Sequence, residues 1–354
     1  MLEELRGMAD KVGVNRRDWL MLAGGGLLGG CVPFGGGGNL RKWDHETLER
    51  ADAIARSRGC RGWGAWENGS LRKSWRTHES GPVMSITKTL AMLSCVKAAD
   101  EGWLSADEKV ADTITEWRDV EGKQDITIQM LLQMTAGLDE GVAALYRGRP
   151  KDKGATAVGL PLRDLPGSRF RYGPVCWELL GEVLRRKCAA RGTTTERHIY
   201  GSVMRPIGLT GGAEWKSDLT DHFYLSTGAE MTVTGLGRLG RTLVDLLSGK
   251  NSAGLSAGRF KEMTRTSRAN PMFGGGLWRN RAASRAVEIE DVLDPPRDPT
   301  FWAGACLSGS QPSSMVALIG SSGQRVFIWP EAGRVVARLG YSGSWQDRPF
   351  LAVV

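Results

Sequence analysis

Histidine is scarce in this chain. Its 354 residues include four, at positions 45, 78, 198 and 222, and six cysteines, and none of these falls in a zinc-type spacing. A metal site is therefore not expected, and no other cofactor is expected either. No apolar run is long enough to span a bilayer as a permanent helix, and no internal repeat occurs, which argues against a solenoid. Concentrated charge is also missing. The formal net charge of +8 is spread along the chain, and the densest basic run, Arg185-Arg186-Lys187, lies in an amphipathic helical pattern. That run reads as a solvated helix face, so no nucleic-acid partner is expected.

What is present is ordinary globular composition, 41% hydrophobic and 24% charged with 48 glycines. Such a chain can form one large domain or two lobes around a sizeable core. Residues 1–31 read as an export leader: Asn15-Arg16-Arg17-Asp18-Trp19-Leu20 is a twin-arginine pair, followed by a short apolar, Gly-rich run from Met21 to Gly30. The small residues before Cys31 resemble the lipobox of bacterial lipoproteins. That likeness predicts lipidation of Cys31, membrane anchoring through it, and a periplasmic or membrane-anchored location. Residues 32–43, with glycines at 35 to 38, read as a flexible tether, and 44–354 as the folded domain. Five cysteines remain, an odd number at irregular spacing: Cys60, Cys95, Cys176, Cys188 and Cys306. They are expected to be buried free thiols.

Within the domain, Leu48, Ala51, Ile54 and Ala55 mark a first helix, and Asn68-Gly69 marks the turn of a hairpin over 62–75. Ile126 to Leu138 reads as a helix with Gly137 as its C-cap, and helical patterns cover Val175–Ala190, Glu196–Met204 and Leu236–Leu247. Short β-like runs return at Ser314–Ile319, Arg325–Trp329 and Arg334–Leu339. The fold class that follows is α/β of the α+β kind. Its antiparallel sheet is built from the N- and C-terminal segments and flanked by helices, with a mostly helical lobe inserted between.

The candidate chemistry centres on Ser85-Ile86-Thr87-Lys88. Gly81-Pro82 punctuates the chain, and an apolar helix-compatible run follows from about Val83 to Ala98. Ser85 then falls in the first turn, where unpaired N–H groups and the helix dipole favour negative charge. Lys88 lies one turn on, on the same face, and a lysine of lowered pKa beside a serine can make its hydroxyl nucleophilic. The spacing S-x-x-K also occurs at Ser70–Lys73 and Ser94–Lys97. On a strand the first pair points to opposite faces, and the second is remote from the helix N-terminus.

Ordered blocks downstream single out Ser85. Ile126 to Leu138 resembles "ITIRHLLTHTSGL", and Pro166-Gly167-Ser168-Arg169-Phe170-Arg171-Tyr172 resembles "PGTRFxYSN", with Glu178-Leu179-Leu180-Gly181 as its sequel. Pro206-Ile207-Gly208-Leu209 resembles "PLGL", Glu230 to Thr234 a "GMVST" helix start, and Gly320 to Pro330 the "GHGGQxxxVxP" segment. From about residue 45 onward the chain resembles the serine β-lactamase and penicillin-binding-protein superfamily, most closely its class C-related esterases, D-amino-acid peptidases and aminohexanoate-oligomer hydrolases. The resemblance implies a β-lactamase/transpeptidase-like fold and a small-molecule ester or amide substrate. Ser85 would be the nucleophile, Lys88 its base and Tyr172 the proton relay to the leaving group. An oxyanion hole would form from the Ser85 N–H and an N–H after Gly323, that of Gln324, in a substrate-binding segment that includes Ser321, Ser322 and Gly323.

Two departures bear on specificity. The second motif, usually Tyr-x-Asn, is Tyr172-Gly173-Pro174, and the third, usually Lys-Thr-Gly or His-x-Gly, is Ser321-Ser322-Gly323. The side-chain amide and the cation that would hold a β-lactam are missing there, which favours an ester or amide hydrolase. Alternatives are a non-catalytic sensor on the same fold, a true β-lactamase or a D-amino-acid peptidase.

Overall fold

The computed structural model describes residues 40–209, 213–220, 222–293 and 300–354. Its largest sheet has seven strands: β1 (Cys60–Glu67), β2 (Ser70–Trp75), β3 (Phe273–Gly274), β4 (Leu277–Arg279), β5 (Val316–Gly320), β6 (Gln324–Trp329) and β7 (Arg334–Gly340). They lie in the order β2-β1-β7-β6-β5-β4-β3, each neighbouring pair antiparallel. The N-terminal hairpin thus joins the C-terminal strands through the β1–β7 pair, as expected from the sequence. Its turn uses Asn68 and Gly69, both at positive φ, which suits the twist of a two-residue hairpin.

Helices cover both faces of this sheet. Side chains alternate along β7, so Val335 and Arg338 face opposite ways. Arg338 donates to the Ala55 carbonyl at the end of α1 (His45–Arg56), 2.9 Å away. Val335 meets α4 (Val233–Leu247) at Gly240, where any Cβ would collide with the valine, so a glycine permits the close approach. Accordingly β6 and β7 are buried along their whole length, as a central, double-covered strand must be.

Between β2 and β3 lies the mostly helical lobe. Its central element is α2 (Thr87–Asp100), in which 12 of 14 residues are buried, so this helix belongs to the core on every side. Another helix of the lobe is α3 (Val175–Ala189). The helix expected over 126–138 is shorter, Ile128–Leu132, capped by Thr127. Met134 takes a positive φ, and the carbonyls of Met134 and Thr135 accept from Arg171 and Gly167. These long-range bonds take the acceptors a continuing helix would have used, so Gly137 is a loop glycine and no C-cap. The stretch 196–204 forms a π-helix, Arg197–Met204, and Gly81-Pro82 joins a short strand, Ser80–Pro82, paired with Ala229–Thr232.

The leader expected over 1–31, with Cys31, lies outside the described residues. At the end of the expected tether, Leu40 packs on the core and Trp43 is buried beneath the Arg334 guanidinium. All five remaining cysteines are buried and unpaired. No helix among the described residues is long and apolar enough to cross a membrane.

Candidate active site

A 3₁₀ turn, Met84–Ile86, leads directly into α2 and carries Ser85 at its centre. Met84 sits at φ +52°, a conformation that costs a non-glycine residue energy and is held by its surroundings. This places the half-buried Ser85 hydroxyl above Lys88, which is only 1% exposed. Lys88 Nζ lies 3.0 Å from Ser85 Oγ and donates at 2.8 Å to the Ser226 carbonyl. Burial draws the ammonium down from 10.5 to about 7, against the opposing influence of the Glu178 charge. A substantial fraction of Lys88 is therefore neutral amine near pH 7.

Tyr172 reaches the same oxygen. Its side chain hydrogen-bonds Ser85, and burial pushes the phenol up to about 12, so it is a proton donor at neutral pH. The ring stacks on Trp278 with centroids 6.0 Å apart and meets the edge of Phe273, while Lys88 Nζ lies 5.2 Å from its centroid. Ser85, Lys88 and Tyr172, spread over 88 residues of sequence numbering, thus converge on one oxygen. The other two S-x-x-K pairs do not: Lys73 pairs with Glu49, and Lys97 with Glu101, while the Ser94 hydroxyl bonds the Leu90 carbonyl.

The substrate-binding segment expected at 321–324 is the turn between β5 and β6, which pair at Gly320 and Gln324. Gly320 presses on the segment that leads to Ser85: a Cβ there would lie 2.5 Å from the Val83 carbonyl oxygen and 3.2 Å from Met84 Cβ. Ser321 follows directly, and Ser322 and Gly323 turn the chain at positive φ. The Gly323 amide donates to the Glu290 carboxylate. Gln324 is buried, its side chain committed to the Gly340 backbone by bonds of 2.9 and 2.8 Å. Pro174 is buried, immediately precedes α3 and carries no side-chain polar group.

Sequence reasoning missed Ser226, Glu178 and Trp278. Ser226 acts through its carbonyl, which no side-chain pattern reports, and Glu178 stood inside an apolar block read for its leucines. Among the described residues no group of three His, Cys, Asp or Glu side chains is arranged to hold a metal.

Solved structures of similar architecture include an esterase, an amidohydrolase and a β-lactamase. The chain superposes on a family VIII carboxylesterase with a TM-score of 0.62 and 17% identity, over 87% of this chain and 96% of that one. For a D-stereospecific amidohydrolase from Streptomyces sp. the TM-score is 0.59 at 17% identity, covering 87% and 97% of the two chains. For a β-lactamase from Mycobacterium bovis it is 0.58 at 16% identity, covering 87% and 96%. No curated protein matches the sequence. Identities this low speak for the fold alone. The Beta-lactamase family model, however, matches residues 53–349, from the first helix to the last, and the chain belongs to that family.

Proposed function

We propose that this chain is a serine hydrolase that forms an acyl-enzyme on Ser85 and hydrolyses an ester or a non-peptide amide. The observation that carries this reading is the shared oxygen, with Lys88 Nζ 3.0 Å from Ser85 Oγ and Tyr172 hydrogen-bonded to the same side chain. The neutral Lys88 amine takes the Ser85 proton as Oγ bonds the acyl carbon, and the carbonyl electron pair moves onto oxygen. The Ser85 N–H, with a second N–H from the turn that follows Gly320, holds this oxyanion; each such donor contributes roughly 3–4 kcal/mol. Collapse expels the alkoxide or amine, which takes its proton from Tyr172, and the Lys88 proton restores the phenol. Water then attacks the acyl-enzyme by the same route in reverse.

Ester and amide hydrolysis are also the chemistries named for two of the structural neighbours. Pro174 and the Ser321-Ser322-Gly323 turn support such substrates over a β-lactam, since neither offers the amide or the cation. The same replacements motivate a second reading, a sensor that acylates without turnover. Export through the leader, with anchoring by lipidated Cys31, is proposed on the sequence alone.

The test is a fluorophosphonate label together with p-nitrophenyl butyrate turnover. Wild type should give one adduct and steady hydrolysis, and Ser85→Ala should lose the adduct and at least about 10⁴-fold of the rate. Labelling that persists in Ser85→Ala would place the nucleophile elsewhere. A single burst without steady turnover would favour the sensor.

A further inference from the structure

Behind Lys88, beyond its second hydrogen bond, stands a carboxylate with no exposed surface. Glu178, on α3, accepts at Oε1 from the Ser226 N–H (3.2 Å) and from the Ser226 hydroxyl (2.5 Å). Its Oε2 lies 3.2 Å from His222 Nε2, and His222 is itself only 3% exposed. The Ser226 carbonyl in turn accepts from Lys88 Nζ at 2.8 Å. A slot is built for the imidazole. A Cβ at Gly181 would lie 3.0 Å from the ring, and one at Gly154 would lie 2.9 Å from Nδ1. The His222 N–H is held by Asp218 at 3.1 Å.

A carboxylate with no exposed surface is retained at a cost that hydrogen bonds must offset. Here those bonds converge on the one residue whose carbonyl holds the base. An amine that donates one N–H to a fixed carbonyl has its rotation restricted, and here that bond keeps Lys88 Nζ within 3.0 Å of Ser85 Oγ.

We propose that Glu178 is a positioning residue for Lys88: its carboxylate fixes Ser226, whose carbonyl orients the amine, and its negative charge maintains the amine's strength as a proton acceptor. This rests on the acyl-transfer reading above. The remaining groups around the base are Ser85 and Tyr172 on the cleft side and the Tyr146 phenol, which bonds Ser226. On the far side of Glu178 lie His222 and Tyr224, with Lys153 Nζ 3.7 Å from the Tyr224 ring centroid and 5.6 Å from that of Tyr146. Glu290 acts on Tyr172 from the other side of the cleft. Of these, Glu178 is the charge whose effect on Lys88 opposes that of burial.

The experiment is the pH dependence of fluorophosphonate labelling of Ser85 and of kcat/KM for p-nitrophenyl butyrate, in wild type and Glu178→Gln. Glutamine keeps the volume and an acceptor for Ser226 but removes the charge. The acid limb should move about one unit toward lower pH, and the plateau should fall about tenfold because the base is weaker. Glu178→Asp, which keeps the charge, should return the limb to its wild-type position even where the rate stays low. If the glutamine variant does not fold, Glu178→Met supplies the same limb shift from an apolar isostere. A wild-type limb in a folded, uncharged variant overturns the proposal while leaving acyl transfer intact. A wild type that is never labelled ends both.

Discussion

The two sides of the cleft are built by different means. On the Ser85 side, Lys88 projects from a helix buried on every face and Ser85 from the 3₁₀ turn that leads into it, and Lys88 is held by Ser226 beneath and Ser85 above. On the recognition side stand a three-residue turn after Gly320 and the loop that ends in Pro174. A change in the first must be absorbed by a close-packed core, whereas in the second the half-buried Ser321 and Ser322 sit in a turn that can vary at less cost to folding. On the proposed reading, the groups that move protons sit on packed elements, and the two altered motifs lie in the connecting segments around them. On that reading, reaction class and substrate class are carried by separable parts of the molecule.

Lys88→Met should break that separation most severely. Loss of the base should lower kcat/KM by about 10³-fold or more. In wild type the acid limb should centre near pH 7, since Lys88 is protonated below about 7 and cannot accept the serine proton. Stability should move the other way. Between about 7, the folded value, and 10.5, the unfolded one, the unfolded chain binds a proton that the folded chain lacks, so Lys88's penalty is full below that window and shrinks as pH rises through it. An apolar replacement removes the penalty and should stabilise the fold by about 1–4 kcal/mol at pH 6, read from thermal melts. A melting temperature that falls instead would mean that the bonds to Ser85 and Ser226 outweigh the burial of the charge.

The same division governs what the sequence discloses. Ser85 and Lys88 are legible because they are one helical turn apart, and the Asn68-Gly69 hairpin because its turn chemistry is local. Tyr172 needed an ordered family pattern, since no spacing links it to Ser85. Ser226 and Glu178 were illegible for a physical reason: one works through a backbone carbonyl, and the other meets it across 48 residues of chain. The helix expected through Gly137 failed in the same way, because the carbonyls of Met134 and Thr135 turn to partners at 171 and 167. Periodicity reports which face is buried and does not report which distant amide will claim a carbonyl.

Tyr172→Phe tests whether the relay belongs wholly to the Ser85 side. The ring should keep its place against Trp278 and Phe273, so folding should be unaffected. Alkyl esters and amides, whose leaving groups need a proton, should lose about 10²-fold in kcat. A p-nitrophenyl ester, whose leaving group departs as the anion, should lose much less. Equal losses on both substrates would assign Tyr172 to activating Ser85 and remove it from the leaving-group step.

Pro174→Asn addresses the recognition side and should have the smallest effect on existing activity. The residue 174 carbonyl accepts from Trp177 and Glu178 at 3.0 and 3.1 Å, and its helical backbone is one that asparagine also adopts, so the start of α3 should be kept. Ester turnover should stay within about threefold of wild type, because none of the groups that move protons is touched. The substitution restores, two residues after Tyr172, the side-chain amide of the Tyr-x-Asn pattern, a donor and acceptor of the kind an acylamino substituent would use. A penicillin-type label should then acylate Ser85 measurably faster than in wild type, as read by mass spectrometry of the intact protein. Should acylation not change, the missing cation at Ser321-Ser322-Gly323 alone sets the boundary against β-lactams, and the matching substitution belongs in that turn.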